Sequence, residues 1–539
     1  MKKKELYPLF YCIFFALALT NHHPLYPNTF FNSAYLMTGE INLNNTMGYY
    51  NSHIWGNAYS IYSLLIAFLI KLNLDISKIE FITTFSYIFV FVLGFYLISL
   101  SITKKRFISL ILASLVIFFE IDLDTIDYRT GYFNYSVQGT VANAYFILFL
   151  GLLAGKKYFI AGFLAASFYL IHAVVGIFTL GTLIITLLII FYFNKIHIKK
   201  LTYGLLFGFI FLFINLIFKH FFFKNLGISL LGFENIDWDL YKTYLLNWDW
   251  HRSHNYFRRL YLLIFILFIL FILFLSIIII IKKKYRNLYI FNIFIVLSVI
   301  EGLILFVIFK KFTFPNENSG LFDLLFAIPI PTRFLNLTST FIFIIFTSYC
   351  IFLTDYYKYF KKYIILFLVL FIPTIIYLKD VKYQTRSEIY NSHLSMKKSY
   401  YSISKFEFWN KIKKLENKGS FIVHSNKYNY LFTVLTNKPN FLLFPNIDIV
   451  NYFPQYVPFI AMAISDIYKI NFDNPGLCKS SGGLQCDSVI QENIASKSKN
   501  EWIFISKKYD IQGIILPVNW NINLKPTFID NGMVYYGLK

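Results

Sequence analysis

The chain has 539 residues, 57% of them hydrophobic, 21% aromatic and 14% charged, with a mean hydropathy of +0.57. That composition excludes a disordered, fibrous or ordinary water-soluble protein and reads as a membrane protein. The net charge of +22 would suggest a nucleic-acid partner in a soluble chain, but the basic residues stand in short runs between apolar stretches, where they act as topology signals.

Apolar spans are taken where roughly 13 to 25 residues lack an interior charge, since a helix needs about 20 residues to cross ~30 Å of hydrocarbon. They fall at 6–20, 80–102, 107–119, 138–155, 158–173, 175–194, 201–219, 260–281, 288–309, 334–354 and 363–378, which is eleven. A further apolar segment, 58–72, is short, contains Lys71 and runs into Asn73, Asp75, Ser77 and Lys78. Parity decides its role. Lys2, Lys3 and Lys4 hold the N-terminus inside. The runs Lys104 to Arg106, Lys156 and Lys157, Lys195 to Lys200, Lys282 to Arg286 and Lys358 to Lys362 all face inside only if 58–72 lies in the interface or re-enters. The triplet Ala16-Leu17-Ala18 resembles a signal-peptidase site, and cleavage there leaves the orientation unchanged.

This topology places four substantial loops outside, 21–57, 120–137, 220–259 and 310–333, together with everything after 379. Most of the acidic residues and nearly all histidines then share one face. Loops this long exceed the short connections of a purely structural bundle.

From Lys379 onward the apolar runs shrink to strand size. Strands are expected at 421–423, 430–435, 441–444, 514–516 and 534–536, and helices at 406–417 and 500–509. The pattern predicts a polytopic α-helical membrane domain over 1–378 and an extracytoplasmic α/β domain over 379–539. Cys478 and Cys486 close a loop rich in Ser and Gly. In an oxidising compartment they form a disulfide, whereas a metal pair lacks a nearby His or Cys to complete it. Cys12 and Cys350 lie in spans and read as core.

The outer loop 220–259 is the richest in chemistry. It carries Asp237-Trp238-Asp239, then Asn247-Trp248-Asp249-Trp250-His251-Arg252, and later Arg258 and Arg259. Alternate carboxylates such as Asp237 and Asp239, with His251, can hold a divalent ion, and arginines beside them can hold phosphate oxygens. Trp rings anchor at a membrane surface or stack on sugar faces, so an interfacial helix with ordinary ion pairs is the alternative. Arg333 stands at the outer mouth of a span, where it binds a lipid-linked phosphate or snorkels to headgroups. Glu120, Asp122, Asp124 and Asp127 make an acidic cluster in the second loop, and Glu40 is the only acid of the first. His172 lies at the outer end of a span, while Glu301 lies inside one, where an ionisable group is costly and suspect of function. No Walker loop, Rossmann glycine motif, nucleophile elbow or zincin motif occurs.

In arrangement the chain resembles the GT-C superfamily of integral-membrane glycosyltransferases. The resemblance rests on a short first span and a long outer loop with Tyr26-Pro27-Asn28 and Leu36-Met37-Thr38-Gly39-Glu40. It continues through Ile54-Trp55-Gly56-Asn57, the acidic second loop and Gly155-Lys156-Lys157-Tyr158. It covers roughly residues 1–200. It implies a multi-pass protein of the bacterial plasma membrane that takes a sugar from a polyprenyl-phosphate donor and gives it to a glycan or lipid acceptor on the outer face. In that reading Glu40, Asp122 or Asp124 deprotonates the acceptor hydroxyl, and Arg252, Arg258 and Arg333 stabilise the departing phosphate. A divalent ion assists, membrane lipids surround the enzyme, and nucleic acid has no part. The chain departs from the family in one respect, having Asn28 near the point where such enzymes carry an early acidic residue. A surface-polysaccharide polymerase or ligase would use the same outer cations, and a non-catalytic component of polysaccharide assembly or transport would need none of the carboxylates.

Overall fold

The computed structural model describes residues 3–22, 29–41, 59–115, 138–193, 198–225, 236–249, 270, 288–313, 315–329, 344–345, 347–352, 402, 404–424, 431–441, 450–479 and 486–539. The N-terminal part is helical: α1 (Lys3–His22), α2 (Thr29–Thr38), α3 (Ile61–Lys71), α4 (Ile76–Thr103), α5 (Arg106–Leu115), α6 (Gln138–Ala154), α7 (Tyr158–Ser167), α8 (Ala173–Phe193), α9 (Ile198–Asn225), α10 (Trp238–Asn247), α11 (Tyr289–Lys311) and α12 (Leu321–Ala327). Four of them, α4, α8, α9 and α11, are long and apolar enough to cross a membrane, whereas the apolar stretches of α1, α3, α6 and α7 are shorter. The described residues therefore do not reach the eleven crossings expected from composition. Of the missing spans, 363–378 lies outside the described residues, 260–281 does so except for residue 270, and 107–119 and 334–354 lie only partly within them. The segment expected not to span folds as α3, eleven residues long and so about 16 Å. It is capped at its start by Ser60, whose Oγ accepts from Ser63 N at 3.2 Å.

Small residues set the helix pairing. A Cβ on Gly94 of α4 would meet Leu148 N at 2.7 Å, and one on Gly151 of α6 would meet Gly94 O at 2.7 Å, while Gly155 faces Ser101. The matched order shows that α4 and α6 run parallel at backbone contact. In the same way Gly204 and Gly208 of α9 lie on the carbonyls of Phe159 and Phe163, and Gly162 lies on Leu201 O, so α7 and α9 also run parallel. Helices in lipid gain no hydrophobic drive from each other, and close backbone approach through small residues supplies the packing instead. These registers bring Lys104, Lys156, Lys157, Lys199 and Lys200 to one end of the bundle. At the other end of α9, Lys219 lies 5.8 Å above the ring of Tyr59, twenty residues and therefore ~30 Å from Lys199.

The C-terminal part is an α/β unit. Its four-stranded sheet has the order β1-β2-β4-β3, with β1 (Ser420–Val423), β2 (Ile511–Pro517), β3 (Phe528–Asp530) and β4 (Met533–Gly537). The β1–β2 pair is parallel and the other two pairs are antiparallel. Period-2 alternation sorts side chains to two faces. Phe421, Val423, Ile515, Met533 and Tyr535 meet Trp409 and Ile412 of α13 (Glu407–Lys414). Ile422, Ile514, Leu516, Val534 and Tyr536 face a larger cluster with helices α15 (Val457–Tyr468), α16 (Asp487–Ala495) and α17 (Lys499–Tyr509). The expected strand at 430–435 is instead helix α14 (Phe432–Thr436). Its β-branched residues read as a strand, but Phe432 fills the sheet's core and Val434 fills the bundle's. Two partners on separate faces of one short turn override the local propensity.

Candidate functional site

The α/β unit joins the bundle at the end away from the lysine turns, through three of the four long loops. Gly39, in the left-handed region at φ 73°, stops α2, a turn that a Cβ disfavours. Glu40 follows it into the open. Asn437 ends α14 in the same backbone region, which Asn tolerates, and its Nδ2 donates to Glu40 Oε2 at 2.9 Å. Beside this contact Tyr35 donates its hydroxyl to Val434 O at 3.5 Å. Burial, and then the Glu40 carboxylate, push the Tyr35 phenol above its ordinary range, which keeps it a donor. Glu40 thus sits exposed at a seam between the first loop and the C-terminal unit. It is oriented by one amide and available as a base or an acceptor.

The loop 220–259 contributes α10, and its residues do work other than that expected of them. Asp237 Oδ1 accepts from Leu240 N at 2.9 Å as the helix N-cap. Asp239 lies in the first turn, exposed, 4.0 Å from Lys242. Among the described residues no group of three His, Cys, Asp or Glu could hold a metal ion, and His251 lies outside them. Trp248 is no membrane anchor or sugar platform: it is 1% exposed, stacks on Phe472 at 5.2 Å and donates Nε1–H to Phe472 O at 2.8 Å. Tyr241 donates to Asn451 O at 2.9 Å and Asn247 to Asp473 O at 2.8 Å, so α10 is a strut for the α/β unit. The fourth loop, 310–333, joins the same core through Leu324 and Ala327 of α12, next to Phe309 from the last turn of α11. There Asp323 accepts from Gly320 N at 3.0 Å and caps its own helix.

Other expected residues resolve as follows. Glu301 of α11 accepts from Thr182 of α8 at 2.5 Å, a hydrogen bond between two helices of the bundle. His172 Nδ1 accepts from Val175 N at 3.4 Å at the start of α8. Cys478 and Cys486 are joined by a disulfide, and Cys12 and Cys350 are free and buried. Asp122, Asp124, Arg252, Arg258 and Arg333 lie outside the described residues.

Two groups escaped the sequence reading. Glu80 is buried in the second turn of α4 near Thr83 and Thr84; an acid within a turn of an apolar run was the available signal. His424 closes β1 at 1% exposure, with the Trp520 ring 4.5 Å away and Asp487 Oδ1 3.7 Å from its Nε2. Burial pulls its pKa down to about 3, so the imidazole is neutral, and burial also raises the Asp487 carboxyl. Only its place directly after the short apolar run 421–423 marked it.

The fold and seam define a helical protein compatible with membrane insertion that carries an α/β unit on one end. No protein-family model, curated protein or solved structure matches the chain.

Proposed function

We propose that the chain is an integral-membrane glycosyltransferase. It moves a sugar from a polyprenyl-phosphate donor to a cell-surface glycan or lipid acceptor on the side that carries the α/β unit. The observation that supports this reading is the meeting of the first, third and fourth long loops with the C-terminal unit, Glu40 lying exposed in the seam and held by Asn437. Such a carboxylate suits the general base that takes the proton from an acceptor hydroxyl as it attacks the anomeric carbon. Arg252 and Arg258 follow α10 in sequence and Arg333 follows α12, two elements packed in the larger core of the α/β unit, and these cations suit the departing phosphate. In this reading the chain makes eleven crossings of the bacterial plasma membrane, with the lysine-rich turns cytosolic.

The test is transfer by the purified protein in lipid nanodiscs, supplied with polyprenyl-phosphate sugars and acceptor. Glu40→Gln should abolish turnover while Glu40→Asp retains part of it. Asp122→Asn with Asp124→Asn tests the other candidate base. Unchanged turnover in Glu40→Gln removes Glu40 from the chemistry. A second reading, a non-catalytic component of polysaccharide assembly or transport, is favoured by Asn28 and by the capping role of Asp237. It predicts an unaltered glycan when every outer carboxylate is replaced. A polymerase or ligase would instead leave single repeat units accumulating when the gene is deleted.

A further inference from the structure

Helix α12 reads Leu321-Phe322-Asp323-Leu324-Leu325-Phe326-Ala327. It buries Leu324 and Ala327 against α10 and the end of α11, in the core of the α/β unit. Its other side is apolar and uncovered: Leu321 and Leu325 are exposed and Phe322 is 69% exposed. Asp323 lies between them, half-buried, with its carboxylate accepting from Gly320 N. Phe322 stacks on Phe326 at 6.0 Å, and Phe326 lies 6.4 Å from Phe309 in the last turn of α11. A row of rings therefore leads from the end of a candidate span to the open face. Phe312, just past that span, is 72% exposed.

Contiguous apolar surface on a helix that already has a packed side marks a second contact. Its level along the candidate span identifies what covers it. Along α11 the exposed side chains Ile300, Ile304 and Val307 form the surface a membrane-crossing helix gives to lipid, the exposed Lys311 ends that face, and α12 packs through Phe326 beside Phe309 at the same level, where the α/β unit sits. Phe and Leu are among the residues with which an interfacial helix buries its apolar face at the headgroup boundary.

We propose that α12, together with Phe312, is a membrane-docking helix. Its Leu and Phe side chains insert among the acyl chains just under the headgroups and hold the α/β unit against the bilayer. Helices of this kind bury their apolar face ~5–10 Å into the headgroup and acyl boundary. The proposal rests on α11 crossing the membrane and is independent of glycosyl transfer.

The experiment uses the full chain in liposomes with a nitroxide placed singly at Phe322→Cys, Leu325→Cys, Asn318→Cys or Ile304→Cys. The native thiols of Cys12 and Cys350 are buried and the other two cysteines are paired, so the introduced thiol takes the label. Accessibility to apolar oxygen and to a polar nickel chelate then reports depth. Labels at 322 and 325 should respond several-fold more strongly to oxygen than to nickel, the label at 318 should do the reverse, and that at 304 should be deepest. Nickel accessibility at 322 and 325 equal to that at 318, with 304 still rich in oxygen, overturns the docking while leaving α11 in the membrane. Nickel accessibility at 304 as well removes the premise, and the proposal falls with it.

Discussion

Replacing Trp248 by Ala tests whether the loop 220–259 is a strut of the α/β unit. The side chain is buried, stacked on Phe472, and bonded through Nε1 to Phe472 O at 2.8 Å. Removing a buried Trp costs about 3–5 kcal/mol in transfer and cavity terms. Trp248→Phe, which keeps most of the ring, should cost about 1–1.5 kcal/mol for the lost hydrogen bond. At about 1.4 kcal/mol per tenfold, the Ala variant should lower hydrogen-exchange protection by roughly two to three and a half orders of magnitude. The loss should appear together in peptides covering 238–249 and 457–472, since Tyr241 and Trp248 share one core with Ile460 and Ile464. Exchange in 457–472 unchanged within a few-fold in Trp248→Ala would refute the strut and return Trp248 to the membrane surface.

Acid should destabilise the α/β unit through His424. Its folded pKa of about 3 lies below the ordinary value of 6.5. Stability is thus complete above pH ~6.5 and declines by about 1.4 kcal/mol per pH unit as acid is added, until the folded pKa is passed. The raised carboxyl of Asp487 opposes this at the acid end. Melting temperatures between pH 7 and 4 should show a shallower decline for His424→Leu, and an unchanged decline would remove His424 as the cause. Gly204→Val should destabilise the bundle by at least about 1–3 kcal/mol, because its Cβ would lie 2.1 Å from Phe159 O. Gly181→Ala, with nothing within 4 Å, should be neutral. Equal thermal stability of the two variants in detergent would contradict the parallel packing of α7 and α9.

The bundle was legible where apolar runs are long and charge-free. The stretches at 80–102, 175–194, 201–219 and 288–309 appear as Ile76–Thr103, Ala173–Phe193, Ile198–Asn225 and Tyr289–Lys311. The lysine turns are legible for the same reason, since a span must end where a desolvated charge would cost more than helix continuation gains. In the α/β unit the three most apolar strands were readable and β3 was not: Phe528–Asp530 is only three residues long and no more than half-buried. What composition could not give was the partner of each side chain. Asp237, Asp239 and Trp248 look like ligands or anchors in the sequence, yet two start a helix and the third fills a hole made by residues more than 200 positions later. Glu40 was singled out as the lone acid of its loop, but its orientation depends on Asn437, almost 400 residues away.

Sidedness is the claim on which the functional reading turns, and labelling in intact spheroplasts tests it directly. Lys156→Cys lies in an exposed lysine turn and Lys525→Cys on the exposed surface of the α/β unit. A membrane-impermeant maleimide should modify position 525 in intact cells and reach position 156 only after the membrane is permeabilised. The opposite order would put the Glu40 seam in the cytosol, where no donor linked to an outer-face lipid could meet it.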